Sequence, residues 1–258
     1  MEIMCAAPSR RVQRASWAQE NLRVLLPAAA ARQPVANSQL HTSFPNFKLS
    51  DYPDHADTVV DVVEQDCIVA TLDLRSQGFK TAMLNMASNT SRGGGFLSGA
   101  TAQEEDVCLR TTLYPALATV RYPLPNISAV YTPGIYLIRD TEHRPIPLDP
   151  AINFNVISSA AINRPSLKPD GKFNAKDYAL TKAKMELFFQ TALVYGDDAV
   201  VPSAWGCGAY KNDPKWVART FLEVLRAGYA RKFRRIRFAI IGGGNYTPFA
   251  AEFAGVQF

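Results

Sequence analysis

Beyond residue 57, short β-branched runs alternate with longer stretches whose apolar residues recur every three or four positions. Residues 58–64 read as a strand, 66–76 as a helix, and 81–87 (TAMLNMA) as a buried strand. The spacing of Val107, Leu109 and Leu113 predicts a helix over 103–118 that opens on Gln103-Glu104-Glu105. Residues 129–138 and 152–162 are strand-like. The strongest helical pattern covers 175–195, where Tyr178, Leu180, Ala183, Met185, Leu187 and Phe188 supply an apolar side. A strand at 199–204, a helix at 214–227 and a last strand at 237–241 complete the series. Such alternation predicts an α/β sandwich around a parallel or mixed sheet, with ligands bound beyond the carboxyl ends of the strands. Upstream, residues 11–31 carry a helical pattern expected to end near Pro27 or soon after, and 32–57 read as an irregular connection. The expected division is a helical extension over 1–54 and a compact domain over 55–258.

Composition narrows the class. With 47% hydrophobic and 20% charged residues in 258, the chain reads as an ordinary soluble globular protein that needs no disulfide or metal staple. Cys5, Cys67, Cys108 and Cys207 are far apart and form no CxxC, so reduced thiols in an intracellular compartment are expected. His41, His55 and His143 have no partner at metal-ligand spacing, so no zinc site is expected. Apolar runs fall well short of the ~20 residues of a membrane span. The net charge of +5 is densest at Arg231-Lys232-Phe233-Arg234-Arg235-Ile236-Arg237. That run reads first as a basic turn entering a buried strand, and second as a rim that attracts a polyanion.

Two glycine-rich loops follow strands. The first, Asn89 to Ala100, contains Gly93-Gly94-Gly95; the second is Gly206-Cys207-Gly208-Ala209-Tyr210. Consecutive glycines are costly to order, and the usual compensation is backbone that approaches a ligand closely, with N–H groups offered to an anion. Two such loops at one end of a sheet could clamp a diphosphate, though a pair of tight turns explains the glycines equally well. A third run, Gly242-Gly243-Gly244, reads as a turn. The first loop nearly fits a phosphate-binding GxxxxGK[ST] pattern, but Ala100 stands where the lysine belongs, which argues against a nucleotidase. Glu104 and Glu105 open a helix; alone they read as acids favoured by the helix dipole. Successive helix residues project about 100° apart, so the two carboxylates are expected to do different work.

In combination these residues carry more. Gly93-Gly94-Gly95, seven residues, then Gln103-Glu104-Glu105 resembles the GGG-x(6–8)-QEE signature of poly(ADP-ribose) glycohydrolases, and LNMASNTSRGGGFLSGATAQEEDVCLRTTLY resembles their microbial-type members. Trp205 to Pro214 is similar to their second phosphate loop. The resemblance implies a macrodomain-like three-layer α/β/α sandwich with a mixed sheet that binds ADP-ribose. It implies Glu105 as catalytic acid/base and Glu104 on the scissile ribose. Gly93, Gly94, Gly95, with Phe96 and Gln103, would bind substrate from one side, and Gly206, Cys207, Gly208, Ala209 and Tyr210 from the other. Tyr210 would shape the distal ribose, Asn89 would contact a ribose, and Asp66 would recognise adenine. Arg92 departs from the proline common before GGG. The implied partner is poly(ADP-ribose) or an ADP-ribosylated protein, with ADP-ribose as product and nucleic acid only as an ADP-ribosylated substrate. No cofactor, metal or membrane is called for, and a monomer is expected. A reader of ADP-ribose without turnover, or a hydrolase acting on ADP-ribose attached to protein side chains or nucleic acid, stays open.

Overall fold

The computed structural model describes residues 9–34, 36–166 and 173–258. Cys5, one of the four cysteines expected to be reduced, lies outside the described residues; Cys67, Cys108 and Cys207 are free thiols. Seven strands form one mixed sheet in the order β1-β4-β5-β3-β6-β7-β2. They are β1 (Gln39–His41), β2 (Val59–Val63), β3 (Thr81–Met86), β4 (Ala129–Tyr136), β5 (Asn153–Ser159), β6 (Ala199–Val201) and β7 (Arg235–Ala239). The neighbours β5, β3, β6, β7 and β2 run parallel, and β4 is antiparallel to both β5 and β1.

Alternation along each strand divides the core in two. Ala82 and Leu84 of β3, Tyr131 of β4 and Phe238 of β7 meet α6 (Ala175–Val194), α7 (Pro214–Val224) and α8 (Gly243–Phe253) on one face. Met83, Val130 and Val156 meet α3 (Cys67–Ser76), α4 (Gln103–Arg110) and α5 (Leu113–Ala116) on the other. Helix starts are capped as their sequence suggests. Asp66 accepts from the Val69 N–H, Asn174 from the Asp177 N–H, and Asp213 accepts from the Lys215 and Trp216 N–H groups ahead of Pro214.

The N-terminal helical pattern is continuous but not uniform. α1 (Arg10–Glu20) passes through a π turn (Asn21–Leu25) into α2 (Leu26–Arg32), so the helix outlasts Pro27. Pro27 lacks an N–H and crowds the carbonyl four residues back; the wider π turn before it removes the conflict. The turn also aims buried Asn21 at α4, where its Nδ2 donates to the Leu109 carbonyl at 2.7 Å.

Three elements differ from the sequence pattern. The expected helix 103–118 breaks at Thr111, which is extended and bridges to Leu137 of the chain after β4. Strand β1 lies within the segment read as irregular. Helix α8 starts within Gly242-Gly243-Gly244, which had read as a turn, and it tolerates Pro248. The basic run enters β7 at the end of the sheet remote from the strands' carboxyl ends. Its charges are largely answered locally: Lys232 pairs with Asp54, Arg234 with Asp198, and Arg237 with Asp61.

Candidate active site

A cavity of about 990 Å³ opens at the carboxyl ends of β3, β6 and β7. Both glycine loops, the first turn of α4 and the start of α3 line it, as the strand order requires of an open α/β sheet.

The first loop is built around the two glutamates. The Gly95 N–H donates to Glu105 Oε1 at 2.8 Å, and Glu105 Oε2 is buried with no hydrogen-bond partner among the described residues. Glu104 is held differently: the Ser88 N–H donates to Oε2 at 2.6 Å and Asn85 Nδ2 to Oε1 at 3.4 Å. The carboxylates nonetheless converge on one place. A Cβ built on Gly94 would lie 2.5 Å from Glu105 Oε1 and 3.1 Å from Glu104 Oε2, and Gly94 has a positive φ of 54°. Only glycine fits there without displacing both acids.

Burial pushes the Glu104 carboxyl up to about 8, against the Ser88 and Asn85 donors that favour its charge and with the help of the neighbouring Glu105 charge. The folded protein therefore keeps a proton on Glu104 between its ordinary value of 4.5 and about 8, where the unfolded chain has lost it. Stability should fall as pH rises through that window. Asp197, pushed up to about 7 by burial, acts in the same direction. In thermal melts between pH 5 and 8.5, Glu104→Gln should flatten the decline, leaving the part due to Asp197; equal slopes for both proteins would contradict this account.

Asn85 was not singled out in the sequence. It is a buried polar residue that interrupts the apolar run 82–86, on the α4 face by period two, and its Nδ2 also donates to Ser158 Oγ at 3.0 Å. That break in the apolar run was the available signal. The expected substrate residues separate into two groups. Gly94, Gly95, Glu104, Glu105, Gln103, Asp66, Gly206, Gly208, Ala209 and Tyr210 line the cavity. Within this group Gln103 is engaged with β3, accepting from the Met86 N–H and donating to the Leu84 carbonyl, both at 2.8 Å. Asp66, besides capping α3, accepts from Arg110 at 2.9 Å.

Gly93, Phe96, Asn89 and Cys207 stand outside the lining. Phe96 is buried against Tyr114 beneath the loop, with ring centroids 4.7 Å apart. A Cβ on Gly93 would strike that same tyrosine at 2.7 Å. Arg92 lies over the Tyr114 ring at 4.2 Å, so its charge braces the loop from below. Asn89 joins the two loops: its N–H donates to the Tyr210 hydroxyl at 3.1 Å, and that hydroxyl donates to Asn89 Oδ1 at 3.0 Å. The second loop is pinned by Asn212, whose Nδ2 donates to the carbonyls of Ile162, Gly206 and Tyr210 at 2.8, 3.2 and 3.3 Å. Asn212→Ala should loosen that loop and weaken ADP-ribose binding about tenfold, roughly 1.4 kcal/mol, with calorimetry as the measurement.

Residues 10–140 match the family model of the microbial-type PARG catalytic domain. The chain belongs to this family. The matched segment begins at the first residue of α1 and holds the first loop and both glutamates. Structural likeness extends through the rest of the microbial-type PARG fold. A poly(ADP-ribose) glycohydrolase from Thermomonospora curvata is similar with a TM-score of 0.79 and 27% identity, over 94% of this chain and 100% of that one. The T. curvata enzyme bound to the inhibitor ADP-HPD gives 0.77 at 27% identity, over 94% and 100%. A Deinococcus radiodurans PARG mutant in complex with ADP-ribose gives 0.75 at 26% identity, over 90% and 99%. No curated protein matches the chain. The macrodomain-like α/β/α fold with an N-terminal helix is thus the observed one. Among the described residues, no helix is long and apolar enough to cross a membrane, and no cluster of His, Cys, Asp and Glu could hold a metal ion.

Proposed function

We propose that the protein hydrolyses the ribose–ribose O-glycosidic bond of poly(ADP-ribose), releasing ADP-ribose, with Glu105 as general acid and then general base. The supporting observation is the state of its carboxyl group. One oxygen is fixed by the Gly95 N–H, and the other is buried without a protein partner. An unmatched buried oxygen costs about 1–3 kcal/mol unless something completes it. The leaving oxygen of the substrate, and then water, would do so.

The diphosphate lies between the two glycine loops in this reading, and the distal ribose sits over Gly94. Glu105 gives its proton to the leaving 2′-oxygen as the bond to the anomeric carbon breaks through an oxocarbenium-like centre. Water then adds to that carbon and returns a proton to Glu105, leaving ADP-ribose and a polymer one unit shorter. Glu104, held by Ser88 and Asn85, orients the ribose hydroxyls. Asp66, fixed by Arg110, faces the adenine. Free thiols at Cys67, Cys108 and Cys207 fit a reducing, intracellular setting.

The test is release of ADP-ribose from purified poly(ADP-ribose), beside calorimetry with ADP-ribose. Turnover with binding supports the assignment; binding without turnover makes the protein a reader. Release only from ADP-ribosylated protein or nucleic acid moves the bond and keeps the chemistry.

A further inference from the structure

The N-terminal helix forms part of the wall of the cavity, through Arg10 and Arg14. Arg14 is 3% exposed, and its guanidinium reaches two places 86 and 92 residues away in sequence. Nε donates to the Ala100 carbonyl at 3.1 Å, in the tail of the first glycine loop, and Nη1 donates to Asp106 Oδ1 at 2.9 Å, in α4. Asp106 immediately follows Glu105. Ala100 in turn donates its N–H to the Gly95 carbonyl at 3.2 Å, and Gly95 donates to Glu105 Oε1. These contacts close a ring through Arg14, Ala100, Gly95, Glu105 and Asp106.

From this ring we infer that Arg14 is a positioning residue for Glu105: it sets the separation between the glycine loop and the helix that carries the acid. The inference rests on the hydrolytic reading of the site. Two further contacts show that α1 is seated for this work. A Cβ on Gly99 would lie only 2.0 Å from the Arg11 carbonyl, so loop and helix touch backbone to backbone. His143, stacked on Trp17 with centroids 4.9 Å apart, bonds the same Asp106 oxygen at 2.8 Å and holds it toward Arg14. Asp106 is thereby fixed from both sides. Without Arg14 the loop keeps the Gly95 bond to Glu105 and the covalent chain from Ala100 but loses its bridge to Asp106 in the helix that carries the acid, and a displacement of about 1 Å at a catalytic group costs on the order of 100-fold in rate.

Arg14→Met keeps length and volume and removes both bridges. α1 stays anchored in that variant by Asn21 on Leu109 and by Glu20 on Arg139. The experiment measures kcat and KM for ADP-ribose release and the Kd for ADP-ribose, after thermal melting has shown a folded protein. Expected are a kcat lower by about 100-fold, a Kd changed by less than about threefold, and partial recovery of kcat in Arg14→Lys, whose ammonium donates to one of the two partners but does not reproduce the fork that spans both. An unchanged kcat in Arg14→Met overturns the inference, as does a loss seen only in Kd and KM, which would place Arg14 on the ligand. Should Arg14→Met not fold, Arg14→Lys decides: a reduced kcat at constant Kd supports the role, and wild-type kcat overturns it. Wild-type turnover, measured first, separates a failed activity assignment from a failed role for Arg14.

Discussion

Glu105→Gln is expected to lower ADP-ribose release by about 1,000-fold, within the range that loss of a general acid/base produces. The substitution preserves shape and the accepted bond from Gly95, because an amide oxygen can take the place of Oε1. It removes the proton that the leaving oxygen needs and the base that water needs. The loss should therefore appear in kcat, while the Kd for ADP-ribose moves little. Rate assays on poly(ADP-ribose) with parallel calorimetry check this directly. A variant that keeps most of its activity would shift the proton transfer to Glu104, the other carboxyl group over Gly94.

The second large effect is expected at Gly94. A methyl group there collides with Glu105 at 2.5 Å and meets Glu104 at 3.1 Å, so both acids must move or the loop must lift. Gly94→Ala should cost about 100-fold in kcat. Backbone strain alone is a smaller matter, about 1–2 kcal/mol for a left-handed alanine. Gly78→Ala isolates it: Gly78 has φ +89° at the end of α3 and nothing within 4 Å of the added carbon. That control should lose stability and retain activity. Equal activity losses in the two variants would mean that strain, not collision, is responsible.

The layered architecture could be read from the sequence because the strands that form the centre of the sheet are long or strongly apolar, as in TAMLNMA. Elements whose stability comes from their neighbours were hidden. Strand β1 is three residues long and pairs only with β4. Helix α8 starts on glycines and contains Pro248, and its place depends on Phe249 and Phe253 packing against Phe238. The helix break at Thr111 depends on a bridge to Leu137 that no local pattern announces.

At the site, the paired motifs located the two glutamates and the parts of both glycine loops that line the cavity. They could not tell a residue that faces the cavity from one that props the loop, since Phe96 and Gly95 are neighbours with opposite surroundings. Residues that work through the fold, Asn85 from β3, Asn212 behind the second loop and Arg14 from α1, carry no spacing signal relative to the acids they support.

The π turn at 21–25 adds one residue to a helical circuit, and that has a consequence for insertions and deletions. Each residue in an α-helix advances the phase by about 100°. Loss of a single residue from this turn would restore ordinary winding and keep α1 and α2 nearly in phase, whereas loss of a residue from the helix on either side of it would rotate one against the other. Either Leu26 and Ala29 would turn from Ile138, or Arg14 would swing away from Ala100 and Asp106. A one-residue deletion in the helix outside the π turn is thus a rotation of the cavity's wall, and relatives should change the length of this helix by one residue at the π turn itself and otherwise in the loops.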